Sequence, residues 1–125
     1  MKMKKINILL NNKLHDAAIT SLKYKDNNLY IKVDCGGMNL EELFSELDSL
    51  SFVIECINVN KLEFDFDGMM LIDNLTIEKN KNVVIRVSNG DLYLVCDDYK
   101  IVDVSENFKR NKEDIMLENI LKSDI

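Results

Sequence analysis

The sequence predicts a mainly β fold of the α+β kind. An antiparallel sheet forms a sandwich or partly open barrel, with one amphipathic helix near residues 39–50 and a short C-terminal helix. Three observations predict it. Apolar residues recur with period two through most of the chain, the spacing that fills one face of a strand. Turn signals come at short intervals: Asp26-Asn27-Asn28, Gly36-Gly37, Asp67-Gly68, Asn80-Lys81-Asn82 and Asn89-Gly90-Asp91. Only two stretches change to helical spacing. Nearly every strand then has one apolar face to cover, which favours a sandwich or barrel over a flat meander.

Taken in order, Ile6, Ile8, Leu9 and Leu10 follow a lysine-rich start. The run contains Asn7, is too short for the core of a signal peptide and has no small-residue cleavage site after it. It reads as a first strand, and the protein as cytoplasmic. Ala18, Thr20, Leu22 and Tyr24 share one face, with Lys23 and Lys25 on the other. Leu29, Ile31 and Val33 repeat the alternation beyond Asp26-Asn27-Asn28, so the two runs form a hairpin. Leu40, Leu43, Phe44, Leu47 and Leu50 instead fit one helical face, and Asn39 with Glu42 resembles a capping box. Strands resume at Leu62-Phe64-Phe66, at Val83-Ile85-Val87 and, past Asn89-Gly90, at Leu92-Leu94-Cys96. Ile101 to Val104 makes a last strand. Met116, Leu117, Ile120 and Leu121 stripe the C-terminal helix, with Asn111 as its cap. The segments His15–Val33 and Ile72–Val87 have a similar plan, an Asp, two strands and an Asn-containing turn, which suggests an internal duplication. No linker or low-complexity tract divides the 125 residues, so residues 1–125 are read as a single domain.

Charge narrows the function. The net charge is −6, which disfavours nucleic acid and anionic membranes, whose binding needs Lys and Arg. No apolar run approaches the ~20 residues of a membrane span. The charge is also segregated. Residues 1–33 carry seven lysines against two aspartates, a net +5. Residues 34–78 carry eleven acids against Lys61 alone, a net −10. Residues 79–125 carry eight bases against nine acids.

Catalytic and metal motifs are missing. Cys35, Cys56 and Cys96 are far apart, without a Cys-x-x-Cys pair, and His15 is the only histidine, so neither a zinc site nor a disulfide framework is expected. Reduced thiols are the simpler reading. Cys35, beside Gly36-Gly37, is the one thiol expected to be exposed. Asp65-Phe66-Asp67-Gly68 looks like the start of a calcium loop. The loop's sixth and twelfth positions would be Met70 and Thr76, where Gly and Glu are needed. No phosphate loop, nucleophile elbow or His-Glu-x-x-His is present. The expectation is a non-enzyme with no cofactor, no metal and no catalytic residue.

The acidic middle third is the feature left over. Helical spacing turns Glu41, Glu42, Glu46 and Asp48 away from the leucines, and alternation turns Glu63 and Asp65 away from Leu62 and Phe64. If helix and strand are neighbours, these acids form one negative surface, which would attract a basic protein. Glu42, Glu46, Glu63, Asp65 and Asp67 are its expected contact residues.

The stretch Leu14-His15-Asp16-Ala17-Ala18-Ile19, leading into a hairpin that ends Asn28-Leu29-Tyr30-Ile31, resembles small acidic bacterial immunity proteins. The resemblance covers about a quarter of the chain. It implies a cytoplasmic protein that neutralises a toxin by binding it one to one, and many such toxin domains are basic nucleases. No binding residue carries over from it. The alternative is a structural or regulatory domain that self-assembles, for instance as a homodimer, or joins a larger complex. Its apolar edge would be Val83–Val87 or Met69-Met70-Leu71-Ile72.

Overall fold

The computed structural model describes residues 2–36, 40 and 44–108. Helix α1 spans Lys2–Asn11. Seven strands follow: β1 Ala18–Lys25, β2 Asn28–Asp34, β3 Leu47–Phe64, β4 Met70–Leu71, β5 Leu75–Lys79, β6 Val83–Val87 and β7 Leu92–Phe108. They form one antiparallel sheet in the order β4-β1-β2-β3-β7-β6-β5. The fold is mainly β, as the alternation predicts, and the sheet curls into a half-barrel.

The two expected hairpins are present. Lys25 pairs with Asn28, leaving Asp26 and Asn27 as a two-residue turn. Both have positive φ, 51° and 68°, the conformation that matches the twist of the flanking strands. Val83–Val87 pairs with Leu75–Lys79 across the Asn80-Lys81-Asn82 turn. The β6–β7 turn needs Gly90, at φ 96°, where a side chain would be strained. The two segments of similar plan become β1–β2 and β5–β6. They take mirrored places on either side of the central β3–β7 pair.

The curl brings opposite edges together. β4 lies on one edge and β5 on the other, yet only residues 72–74 separate them. Such a link spans at most roughly 14 Å. Hydrogen bonds tie this crossing down: Asp16 N–H to the Ile72 carbonyl, 3.0 Å, Ile72 N–H to Ala17, 2.8 Å, and Leu75 N–H to Lys13, 2.8 Å. One core fills the interior. Leu29, Ile31 and Val33 of β2, Phe52, Ile54 and Cys56 of β3, and Val83, Ile85 and Val87 of β6 are all buried in it.

Three expectations are corrected. Residues 6–10 are helical, within α1, and form no strand. Ile6 and Leu9 are fully buried while Asn7 is exposed, the three-residue spacing of a helix against the core. Positive φ at Lys13 and Leu14 ends the helix. The helix expected near 39–50 does not reach residue 50, because β3 begins at Leu47. Leu47 and Leu50 are both buried, three residues apart. A register shift between Leu47 and Ser49 inserts one residue and restores both to the inner face. A strand bulge thus imitates helical spacing. Earlier, Leu40 is helical and its carbonyl accepts the Phe44 N–H. Finally, Leu92–Cys96 and Ile101–Val104 belong to a single strand, β7. The expected C-terminal helix lies outside the described residues. No helix among those described is long and apolar enough to cross a membrane.

Candidate functional site

The expected acidic surface divides into separate places. Glu42 lies outside the described residues. Glu46 precedes β3 and Glu63 lies near its end. β3 has eighteen residues, so roughly 55 Å of strand lies between the two acids at ~3.3 Å per residue. Among the described residues, no helix brings them together.

Glu46 belongs to a local ion cluster. Its carboxylate is 3.1 Å from Lys5 Nζ, and Glu106 of β7 is 3.3 Å from the same ammonium. Lys5 also lies 5.9 Å from the Phe44 ring centroid and 5.5 Å from that of Phe108. A backbone hydrogen bond, reinforced by Lys5, holds the Glu46 carboxyl below its ordinary value. The cluster fastens α1 to β7. Glu46 is therefore engaged within the fold.

Glu63, Asp65 and Asp67 stay together. They follow one another along the segment that leaves β3 for β4, and all three are exposed. Asp65 N–H donates to the Asp91 carbonyl at 2.9 Å. This adds Asp91, from the β6–β7 turn, to the same end of the sheet. Apolar groups accompany the acids. Phe64 is 54% exposed, and Met69 and Leu71 are each 70% exposed. The Phe64 and Phe66 rings lie 5.7 Å apart. Exposed aromatic and Met side chains among charges are the composition of a protein-binding surface more than of a merely solvated one.

Sequence reasoning missed a polar network at the tip of the first hairpin. The Tyr24 hydroxyl donates to Asn27 Oδ1 at 2.7 Å, and the Asn27 amide donates to Asn58. Asn58 and Asn60 then donate to the two oxygens of Asp97, at 2.5 and 3.1 Å. These bonds hold the Asp97 carboxyl below its ordinary value. Lys79 neutralises Asp98 at 3.3 Å. The acidic pair falls between two runs that the sequence reads as separate strands, and with these partners β7 runs on through it. The signal was present in the alternation Asn58-Val59-Asn60 facing Asp97. A cavity of about 260 Å³, lined by Tyr24, Val59, Asn60, Lys61 and Leu62, adjoins the network.

The remaining candidates offer little chemistry. His15 is exposed, its Nδ1 donating to the Asp73 carbonyl at 2.7 Å. Cys35 is buried, against expectation, and burial pushes its thiol up to about 12. It packs beneath Leu50, whose carbonyl accepts its N–H. Among the described residues, no three His, Cys, Asp or Glu side chains are placed to hold a metal. A cavity of about 580 Å³ between α1 and β5 has Lys13 as its one charged lining residue. Comparison with family models, curated proteins and solved structures finds no match for the chain.

Proposed function

We propose that this chain is a non-enzymatic binding protein, an immunity-type inhibitor that docks a basic toxin domain through the segment Glu63–Leu71. The observation that carries the reading is the union, in nine residues, of Glu63, Asp65 and Asp67 with exposed Phe64, Met69 and Leu71. The acids draw a basic partner in, and the apolar groups supply buried contact once it arrives. Inhibition is by occlusion: the acidic segment covers the groove or active site in which the toxin would hold an anionic substrate. Glu46 stabilises the fold in this scheme and does not contact the partner. The three unpaired cysteines suit a reducing cytoplasm.

The test compares the natural protein with Asp65→Lys/Asp67→Lys in capture from a lysate of the source organism, eluted by rising salt. The natural protein should retain a basic protein that leaves at moderate salt. The variant should lose it with an unchanged melting temperature. Co-expression of the captured protein should be toxic with the variant and harmless with the natural chain. Equal capture by both would remove the acidic segment from the mechanism. Capture of no basic protein would remove the reading itself.

A further inference from the structure

β3 runs on past the hairpin that covers it. β2 stops pairing with β3 at Leu29–Cys56, and the last hydrogen bond on that side is Val59 N–H to the Asn27 carbonyl, 2.8 Å. Beyond a bulge at Asn60, residues 61–64 pair with β7 on their other side, from Lys61–Val95 to Phe64–Leu92. Among the described residues, no strand pairs with their free side. A bare stretch of N–H and carbonyl groups is a template for another strand.

We propose that this edge is a self-association site, occupied by the same edge of a second copy across a two-fold axis at Leu62. Antiparallel pairing about that residue sets Lys61 opposite Glu63 of the second copy and Glu63 opposite its Lys61. Both residues are more than half exposed, so both can form the contact. Opposite charges in directly facing cross-strand positions stabilise a pair, and like charges oppose it. The same register carries Phe64 of the second copy past Leu62 to Asn60. There it meets the 260 Å³ cavity formed by Tyr24, Val59, Asn60, Lys61 and Leu62. Phe64 and Tyr24 are the exposed rings at this place, 54% and 55% exposed, and each copy supplies both. The interface is thus self-complementary in charge and in shape, as a two-fold contact requires.

The chain's other long free edge shows the contrast. β1 pairs with β4 at Ala18 and Ile19, and among the described residues no strand pairs with Thr20–Lys25 on that side. Antiparallel self-pairing about Tyr24 would set Lys23 against Lys25 of the other copy. Lysines placed that way guard an edge, whereas Lys61 and Glu63 recruit one. Five residues per copy make a contact below the roughly 1,200 Å² of a stable complex, so the dimer is weak and concentration-dependent. It shares Glu63 and Phe64 with the partner-docking segment, leaves Asp65, Asp67, Met69 and Leu71 outside the paired strand, and goes beyond that reading.

The experiment is light scattering of the full chain from low to high micromolar concentration, with no partner present. The mass should rise from 14.5 kDa towards twice that value. Lys61→Glu and Glu63→Lys each create two like-charge pairs across the axis. Each should weaken the dimer about ten-fold or more. The double exchange Lys61→Glu/Glu63→Lys restores both pairs and should return affinity to within about three-fold of the natural chain. Unchanged circular dichroism confirms that all three variants fold. A constant monomer mass, a dimer indifferent to the single reversals, or a double exchange no better than either single would each overturn the proposal. None of these outcomes depends on Asp65 or Asp67, so failure here and failure of partner docking are separately visible.

Discussion

Phe52 and Phe64 lie on the same strand and should differ sharply in their contribution to stability. Phe52 is fully buried on the inner face of β3, opposite Val33 of β2. Phe64 is 54% exposed at the strand's end. Truncating a fully buried Phe to Ala removes its transfer free energy and leaves a cavity, at a cost of about 3–5 kcal/mol. A chain of this length has roughly 6–19 kcal/mol of stability in all, so Phe52→Ala should remain folded at 25 °C with its melting temperature lowered by roughly 10–25 °C. Phe64→Ala forfeits less than half of a side chain's burial, about 1 kcal/mol or less. Urea unfolding followed by circular dichroism reads both values, and equal slopes show that the comparison is fair. If Phe52→Ala proves too unstable to handle, Phe52→Leu retains part of the volume and should cost about 1–1.5 kcal/mol. A Phe52→Ala cost below about 1 kcal/mol, or one equal to that of Phe64→Ala, would refute the inward facing of residue 52 and with it the register of β3 on β2.

Two further outcomes test the interior and the hairpin network. The three thiols should resist a thiol reagent at neutral pH in the native protein and all react in urea, since each is fully buried and burial raises each thiol, Cys35 to about 12; one fast-reacting native thiol would contradict this. Asp97 is held below its ordinary value of 3.8 by Asn58 first and Asn60 second. Its contribution is therefore complete above that value and lost as pH falls through the lowered one. Asn58→Ala/Asn60→Ala should raise the Asp97 carboxyl in an NMR titration and flatten the acid side of the urea-midpoint profile, and an unmoved titration would rule out the network as the cause.

The parts of the fold that were legible in the sequence are those in which one physical rule acts alone. The β1–β2 hairpin was readable because Asp26-Asn27 suits positive φ and the flanking residues alternate without interruption. β6 and the start of β7 were readable for the same reason around Gly90. The misreadings arose where two rules compete. Ile6-Asn7-Ile8-Leu9 satisfies both periods, and only packing of Ile6 and Leu9 against the core selects the helix. Leu47 and Leu50 satisfy the helical period because a bulge shifts the strand by one residue, and a bulge has no distinct sequence signal. Leu92–Cys96 and Ile101–Val104 read as two strands because Asp97-Asp98 lies between them, and the partners of that pair, Asn58, Asn60 and Lys79, are distant in sequence. Val83–Val87 looked like an exposed apolar edge, but β6 is paired on both sides, and the sheet edge belongs to β5.

The same bulges decide what the acidic residues can do. A helix over 39–50 laid beside a short strand would have put Glu46 near Glu63. Instead β3 begins at Leu47, just past Glu46, and runs through its bulges to Phe64, so each acid is governed by its own neighbours. Glu46 faces Lys5 at 3.1 Å, and Glu55 faces Lys100 at 3.2 Å, so both charges are spent on the fold. Glu63 faces Lys61 at 3.5 Å with more than half of each side chain in solvent, which leaves the pair free to exchange partners with a second copy. Asp65 and Asp67 form no ion pair among the described residues. A net charge of −10 in the middle third therefore does not act as one field. Among the described residues it resolves into structural pairs along β3, a self-complementary pair at its free edge, and carboxylates outside any ion pair, of which Asp65 and Asp67 lie together beyond that edge, where attraction of a basic partner has the least competition.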